Sequence, residues 1–145
     1  MSPELDDLLC SRYPKLFAER HNADLSMGRG FACGDGWFQR VDQLCRDIQA
    51  AADNGEIRQP LARQVKEKWG KLRTYWRPYD DKIFELAVVA EDRSSEICGI
   101  CGSAGEMVKP SRGWVRVRCE EHRDQSSEAA SPWSPSTAPR PNVSA

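Results

Sequence analysis

Cys98-Gly99-Ile100-Cys101-Gly102 is followed by Cys119-Glu120-Glu121-His122, with a spacer of seventeen residues between Cys101 and Cys119. Each motif places two metal-ligating side chains three positions apart, so both can reach one ion from a tight turn. Thiolate and imidazole are the ligands that Zn²⁺ prefers, and four of them complete a tetrahedron. The pattern therefore predicts one Zn²⁺ bound by four residues: Cys98, Cys101, Cys119 and His122.

The complete ligand set indicates a structural rather than a catalytic zinc site, because a catalytic zinc keeps one position for water. A redox-active CxxC is the competing interpretation, and the CxxH partner at zinc-finger spacing argues against it. Gly102 permits the positive φ that such a knuckle often needs. The spacer predicts a β-hairpin, with Met107 and Val108 on one side and Trp114, Val115 and Val117 on the other.

Upstream of the motifs, the sequence predicts mainly helices. Ser2-Pro3-Glu4 has the features of a helix start, and Pro14 ends that helix. Apolar residues at steps of three and four predict an amphipathic helix over 36–53, with Asp35 as its cap. Asp80-Asp81 predicts the start of a third helix that leads into Cys98.

The segment between the second and third helices carries two different periodicities. After Pro60, apolar residues at 61, 65 and 69 favour another helix. Gly70 interrupts it, and the alternation over 71–77 favours a strand. The predicted fold class is therefore α+β: a small helical domain with a short strand over 1–97, then a zinc-bound knuckle and β-hairpin over 98–123.

Residues 124–145 are rich in Ser, Ala and Pro, with prolines at 132, 135, 139 and 141. With few apolar residues to bury, this segment is predicted to be a disordered tail. Trp133 is its one large apolar side chain. It is interpreted as an incidental exposed residue, although a short docking motif is the alternative.

Length and composition limit the classes of protein that the chain can belong to. It has 145 residues, a net charge of −1 and 39% hydrophobic residues. No apolar run is long enough for a membrane helix, and the acidic start does not resemble a secretory signal. We therefore expect a cytoplasmic protein without membrane association. Six cysteines in such a compartment favour metal ligands or free thiols over disulfides.

The other chemically reactive side chains give no clear site. Cys10, Cys33 and Cys45 have no partner at metal-binding spacing, and Cys45 lies on the apolar face of its predicted helix. His21 is interpreted as a surface residue. A catalytic set of Cys33, His21 and Asp35 is conceivable, but nothing in the spacing supports it. No phosphate-binding loop or hydrolase motif is present, so we do not expect an enzyme.

Basic residues are concentrated in 59–77, where six of them accompany one acid. They are interleaved with Trp69, Tyr75 and Trp76, and basic residues of the finger hairpin extend the set. Such a combination can bind phosphates and stack on bases. The candidate nucleic-acid-binding residues are Arg63, Lys66, Lys68, Lys71, Arg73, Arg77, Arg112, Arg116 and Arg118. A solvated surface is the competing interpretation, and a chain pI near 6.1 argues against a dedicated nucleic-acid binder.

Three segments carry a resemblance to known sequences: Cys33-Gly34-Asp35-Gly36-Trp37-Phe38, the run from Val65 to Arg73, and the CxxC and CxxH pairs. Over about residues 30–123 the chain resembles a group of small uncharacterised proteins of bacteria and their phages. The zinc part is similar to treble-clef and zinc-ribbon modules. The resemblance implies an origin in a mobile element and implies no activity.

Together these features predict a non-enzymatic, zinc-stabilised binding protein. A host protein is the expected partner, as for a phage or prophage factor that takes over the host or blocks its defence. The alternative is a zinc protein that binds nucleic acid through 63–77 and the finger hairpin. The sequence leaves the oligomeric state open.

Overall fold

A computed structural model describes residues 1–109 and 113–125. Within these residues the order of helices and strands is α1 (Pro3–Arg12), α2 (Phe38–Asp53), β1 (Leu61–Lys68), β2 (Lys71–Arg77), α3 (Asp81–Ser94), β3 (Glu106–Val108) and β4 (Arg116–Arg118). The strands form two antiparallel pairs, β1 with β2 and β3 with β4. The predicted α+β class is confirmed. The predicted tail beyond 125 lies outside the described residues.

The helix starts agree with the sequence in two of three cases. The Ser2 hydroxyl accepts a hydrogen bond from the backbone nitrogen of Leu5, and the Asp80 carboxylate caps α3 at the nitrogen of Lys82. Asp35, however, does not cap α2, which begins three residues later after a 3₁₀ turn. Its carboxylate instead accepts a hydrogen bond of 2.6 Å from the nitrogen of Ser2 and thereby ties α1 to the segment before α2.

Residues 61–68 form a strand, so the helix predicted after Pro60 is wrong. β1 pairs antiparallel with β2, and an irregularity in the register lies between Ala62 and Gln64. The bulge adds a residue, so Ala62 and Val65, three positions apart, are both buried in the core. That spacing imitates a helical period, which explains the wrong prediction. On its other edge β1 bonds to Ala32, which acts as a short third strand.

The core lies between the three helices, the segment that joins α1 to α2, and the inner face of the β1–β2 hairpin. Its largest fully buried side chains include Leu9, Phe31, Trp37, Ile48 and Leu72. The α3 helix packs along the edge of β2, where the Ser94 hydroxyl accepts a hydrogen bond of 2.9 Å from the nitrogen of Leu72. None of the helices in the described residues is long and apolar enough to cross a membrane.

Candidate metal centre

The four predicted ligands come together at one point of the structure. Their ligand atoms, three sulfurs and one imidazole nitrogen, all lie within 4.8 Å of one another. The Cys101 and Cys119 sulfurs are 3.7 Å apart, and His122 Nδ1 is 3.7 Å from the Cys98 sulfur and 3.3 Å from that of Cys119. A tetrahedron with metal–sulfur bonds of about 2.3 Å has edges of about 3.8 Å. The cluster therefore has the dimensions of a tetrahedral metal site.

A disulfide does not explain this proximity, because an S–S bond is only about 2.05 Å long. All six cysteines of the chain are free. The donor set fits a thiophilic ion such as Zn²⁺, to which the four residues would supply three thiolates and one neutral imidazole.

Two tight turns hold the ligands in place. In the first, the nitrogen of Gly102 donates to the Cys98 carbonyl and the nitrogen of Cys98 donates to the Ser103 carbonyl. Gly102 has φ +81°, so the positive φ predicted at the knuckle is confirmed. In the second turn the nitrogen of His122 donates to the Cys119 carbonyl. The β3–β4 hairpin, with Met107 opposite Val117, brings the two turns together.

The surroundings of Cys98 favour its ionised form. Burial by itself raises the pKa of this thiol, but hydrogen bonds from the backbone of Cys101, Cys119 and Ile100, and from the His122 ring, outweigh it and lower the pKa to about 6. Hydrogen bonds from Ser103 likewise lower the pKa of Cys101. Metal ligation requires thiolates, so the first turn favours the ligating form of both its cysteines. In the second turn burial raises the pKa of Cys119, so this thiol is not ionised in advance by its surroundings.

The structure also assigns a role to the Cys33–Phe38 segment, which the sequence left without one. The nitrogen of Gly36 donates to the Gly99 carbonyl at 3.0 Å, and the Trp37 indole nitrogen donates to the Ile97 carbonyl at 2.9 Å. A Cβ on Gly36 would lie 2.1 Å from the Cys98 carbonyl oxygen, and one on Gly34 would lie 2.0 Å from that of Gly99. The two glycines therefore allow the backbone to pack directly against the knuckle.

A second contact joins β1 to the β3–β4 hairpin of the metal module, by which we mean the described residues from 98 onward. Arg116 Nε lies 3.5 Å from a carboxylate oxygen of Glu67, on the inner face of β1. Burial raises the pKa of Glu67, and the charges of Arg116 and Arg118 oppose that rise. Arg118 is only 3% exposed and donates to the carbonyls of Val117 and Gln125. These two arginines therefore brace the module, and the buried Arg118 does not belong to an exposed basic surface.

Most arginines of the predicted basic block have acidic partners. Arg63 and Arg77 both pair with Glu19, and Arg73 pairs with Glu91. Lys66, Lys68 and Lys71 have no carboxylate within ion-pair distance among the residues that the structure describes. Arg112 lies outside the described residues.

The remaining candidate residues do not form a site in the described part of the chain. Burial raises the pKa of Cys33 to about 12, which opposes a nucleophilic role. Cys45 is fully buried beside the apolar core, as expected for a small hydrophobic residue. His21 is exposed. Trp133 lies outside the described residues.

No protein-family model, curated protein or solved structure matches the chain.

Proposed function

We propose that this chain is a non-enzymatic binding protein whose C-terminal module is folded around one structural Zn²⁺. The observation that carries the proposal is the closed set of four donors, all within 4.8 Å of one another. Four protein ligands leave no position for a substrate or an activated water. The burial of Cys33 further supports a protein without a nucleophilic centre.

Native mass spectrometry of the full chain, expressed with zinc in the medium, tests the metal. We expect the mass of one zinc ion per chain, lost after treatment with a chelator. His122→Ala should reduce the zinc content, whereas Cys10→Ser, which lies outside the cluster, should retain it. A metal-free protein, or iron in place of zinc, would contradict the proposal.

For the partner we propose a protein, docked in the β2–α3 groove, which is lined by Tyr75, Trp76, Tyr79, Ile83, Phe84 and Val88. The groove has a volume of about 300 Å³. Tyr79 is 73% exposed and Phe84 is 56% exposed, and they contact each other at 6.4 Å between ring centroids. Large exposed apolar groups around a cleft, rimmed by polar residues, are typical of protein interfaces.

The charges around the groove favour one kind of occupant. Asp80 and Glu91 line it, and Asp81 and Glu85 are exposed on the same helix. Glu91 is partly neutralised by Arg73, and the other three have no basic partner in an ion pair of the described residues. An amphipathic helix with apolar residues on one face and basic residues beside them complements this surface. The resemblance to bacterial and phage proteins supports a host protein as its source.

Site-specific photo-crosslinking tests this partner. A photoreactive amino acid at Phe84 in the full chain, expressed in bacterial cells, should give one protein adduct that survives nuclease treatment. The same group at the exposed position Ala50, on α2, is the matched control and should not give that adduct. The purified partner should bind the wild-type chain, and Phe84→Asp should weaken binding by at least tenfold, as for a central apolar anchor.

Three results would contradict the protein partner. The adduct could be absent, it could form equally from position 50, or Phe84→Asp could leave the affinity unchanged. If the adduct is a second copy of the chain, light scattering should show a dimer that Phe84→Asp dissociates, and the host-protein proposal would then be wrong.

A further inference from the structure

The turn of the β1–β2 hairpin carries an unusual residue. Lys68 pairs with Lys71, so the turn has only two residues, Trp69 and Gly70, and both have positive φ, at +55° and +76°. Such turns favour Asn-Gly, because a residue with a Cβ is strained at positive φ. Gly70 fits this preference and Trp69 does not. Local folding therefore does not explain a tryptophan at the tip, and strain of this kind points to a function.

Trp69 is joined at the tip by a second tryptophan from the metal module. The Trp69 and Trp114 rings meet edge to face, 5.7 Å apart at an angle of 75°, and each residue is 62% exposed. The turn and the module are in close contact here, because a Cβ on Gly70 would lie only 3.1 Å from Val115. An edge-to-face pair leaves ring surface open, so both indoles offer flat apolar faces to solvent.

Three lysines lie on the outer face of the same hairpin. Lys66 and Lys68 alternate with the inward residues Val65 and Glu67, and Lys71 lies directly opposite Lys68. Like charges directly across a strand pair repel each other. None of the three lysines has a carboxylate within ion-pair distance in the described part of the chain. A bound anion between the lysines would relieve this repulsion.

We infer that this tryptophan–lysine face, formed by Trp69, Trp114, Lys66, Lys68 and Lys71, binds single-stranded nucleic acid. Unpaired bases would stack on the two indoles, and the phosphates between them would contact the lysines. A duplex offers the phosphates but keeps its base faces stacked inside. An acidic peptide satisfies the lysines but leaves the indole faces unused. The inference goes beyond the proposed protein partner. The two surfaces adjoin at Lys66, whose Nζ lies 5.9 Å from the ring centroid of Tyr75 in the β2–α3 groove, but the two tryptophans, Lys68 and Lys71 do not line that groove.

Fluorescence anisotropy with a labelled single-stranded oligothymidylate of about 15 nucleotides tests the inference on the zinc-loaded full chain. We expect the logarithm of the binding constant to fall linearly with the logarithm of the salt concentration. The slope should be about −2, as for three phosphate contacts on a single strand. The corresponding duplex should bind more weakly.

Two variants separate stacking from charge. Trp69→Asn replaces the indole by a residue that suits the turn, so the fold should persist while the affinity falls by about 5- to 150-fold. Lys68→Glu with Lys71→Glu should reduce the magnitude of the salt slope by about 1.4. The matched control, Lys15→Glu with Arg58→Glu, makes the same charge change at exposed positions away from the tip and should retain most of the affinity.

The inference is overturned if the wild-type chain binds duplex as well as single strand, if it does not bind, or if the control pair weakens binding as much as the lysine pair. These outcomes leave the proposed function testable by itself, because zinc content and the Phe84 adduct do not depend on Trp69. Conversely, loss of the Phe84 adduct with retained oligonucleotide binding would contradict the protein partner alone.

Discussion

The helical region, which spans 1–97 and includes the β1–β2 hairpin, and the metal module, which spans 98–109 and 113–125, are stabilised in different ways. Up to Ile97 the chain encloses some twenty buried apolar residues, among them the fully buried Phe31 and Trp37. The metal module has three-residue strands, and its buried side chains are few, with Cys98 and Val117 as the apolar ones. Apolar burial of about 25 cal/mol per Å² is enough to order the first region, whereas the second has too little to bury. We therefore expect the module to depend for its order on a metal ion bound by the four donors.

The largest expected effect comes from removing one metal ligand. Cys101→Ser should abolish stoichiometric zinc binding, because it removes one of the four donors. The module should then unfold, because zinc in small finger domains contributes on the order of 10–16 kcal/mol of apparent binding free energy. Amide NMR signals of 98–109 and 113–125 should lose their dispersion, while those of α1 and α2 remain. Cys10→Ser is the control and should leave both regions folded. Dispersed signals from the module of the zinc-free variant would show that its apolar contacts suffice.

The second prediction concerns the contact between the two regions. Gly36→Ala should destabilise the chain by about 3 kcal/mol, because the new methyl group would lie 2.1 Å from the Cys98 carbonyl oxygen. Zinc affinity should fall with it, since the knuckle rests on this segment.

Gly55→Ala is the matched control for that substitution. Gly55 also has little tolerance for a side chain, since its φ is +75°, but nothing lies within 4 Å of the new Cβ. Gly55→Ala should lower the free energy of unfolding by about 1 kcal/mol and leave zinc affinity unchanged. Equal effects of both variants on chemical denaturation would show that the knuckle does not depend on Gly36.

The smallest expected effect is inside the helical region. Ser94→Ala should lower the free energy of unfolding by about 1–2 kcal/mol, because it leaves the buried nitrogen of Leu72 without its acceptor. Zinc content should not change, since Ser94 contacts β2 rather than the module. Ser95→Ala removes only a solvent-exposed hydrogen bond from the Ser95 hydroxyl to the Asp92 carbonyl, and it should remain within about 0.5 kcal/mol of the wild type. A larger loss for Ser95 than for Ser94 in urea denaturation would contradict the assignment.

Much of the fold could be predicted where residues close together in the sequence determine the local structure. The starts of α1 and α3 depend on a capping oxygen, and the side chains of Ser2 and Asp80 supply it within three residues. The helix α2 follows from its apolar stripe. The four ligands follow from their spacing, because two donors three positions apart share one turn.

Elsewhere the local sequence pattern gave a wrong prediction or none. The bulge in β1 gave Ala62 and Val65 the spacing of a helix, and only pairing with β2 and Ala32 makes this segment a strand. The charges of 63–77 form one block in the sequence, but Glu19 and Glu91 pair with its arginines. Within the described residues this leaves three lysines without a carboxylate partner.

The sequence by itself therefore determined the two pairs of candidate metal ligands, the caps of α1 and α3 and the amphipathic helices, because each depends on residues within one or two turns of chain. Only the tertiary structure decided that Gly34 and Gly36 support the knuckle, that Arg118 is buried, and that Trp69 meets Trp114. The physical reason is that these contacts join segments that lie 45 to 65 residues apart, and their energy is gained only after both segments have folded.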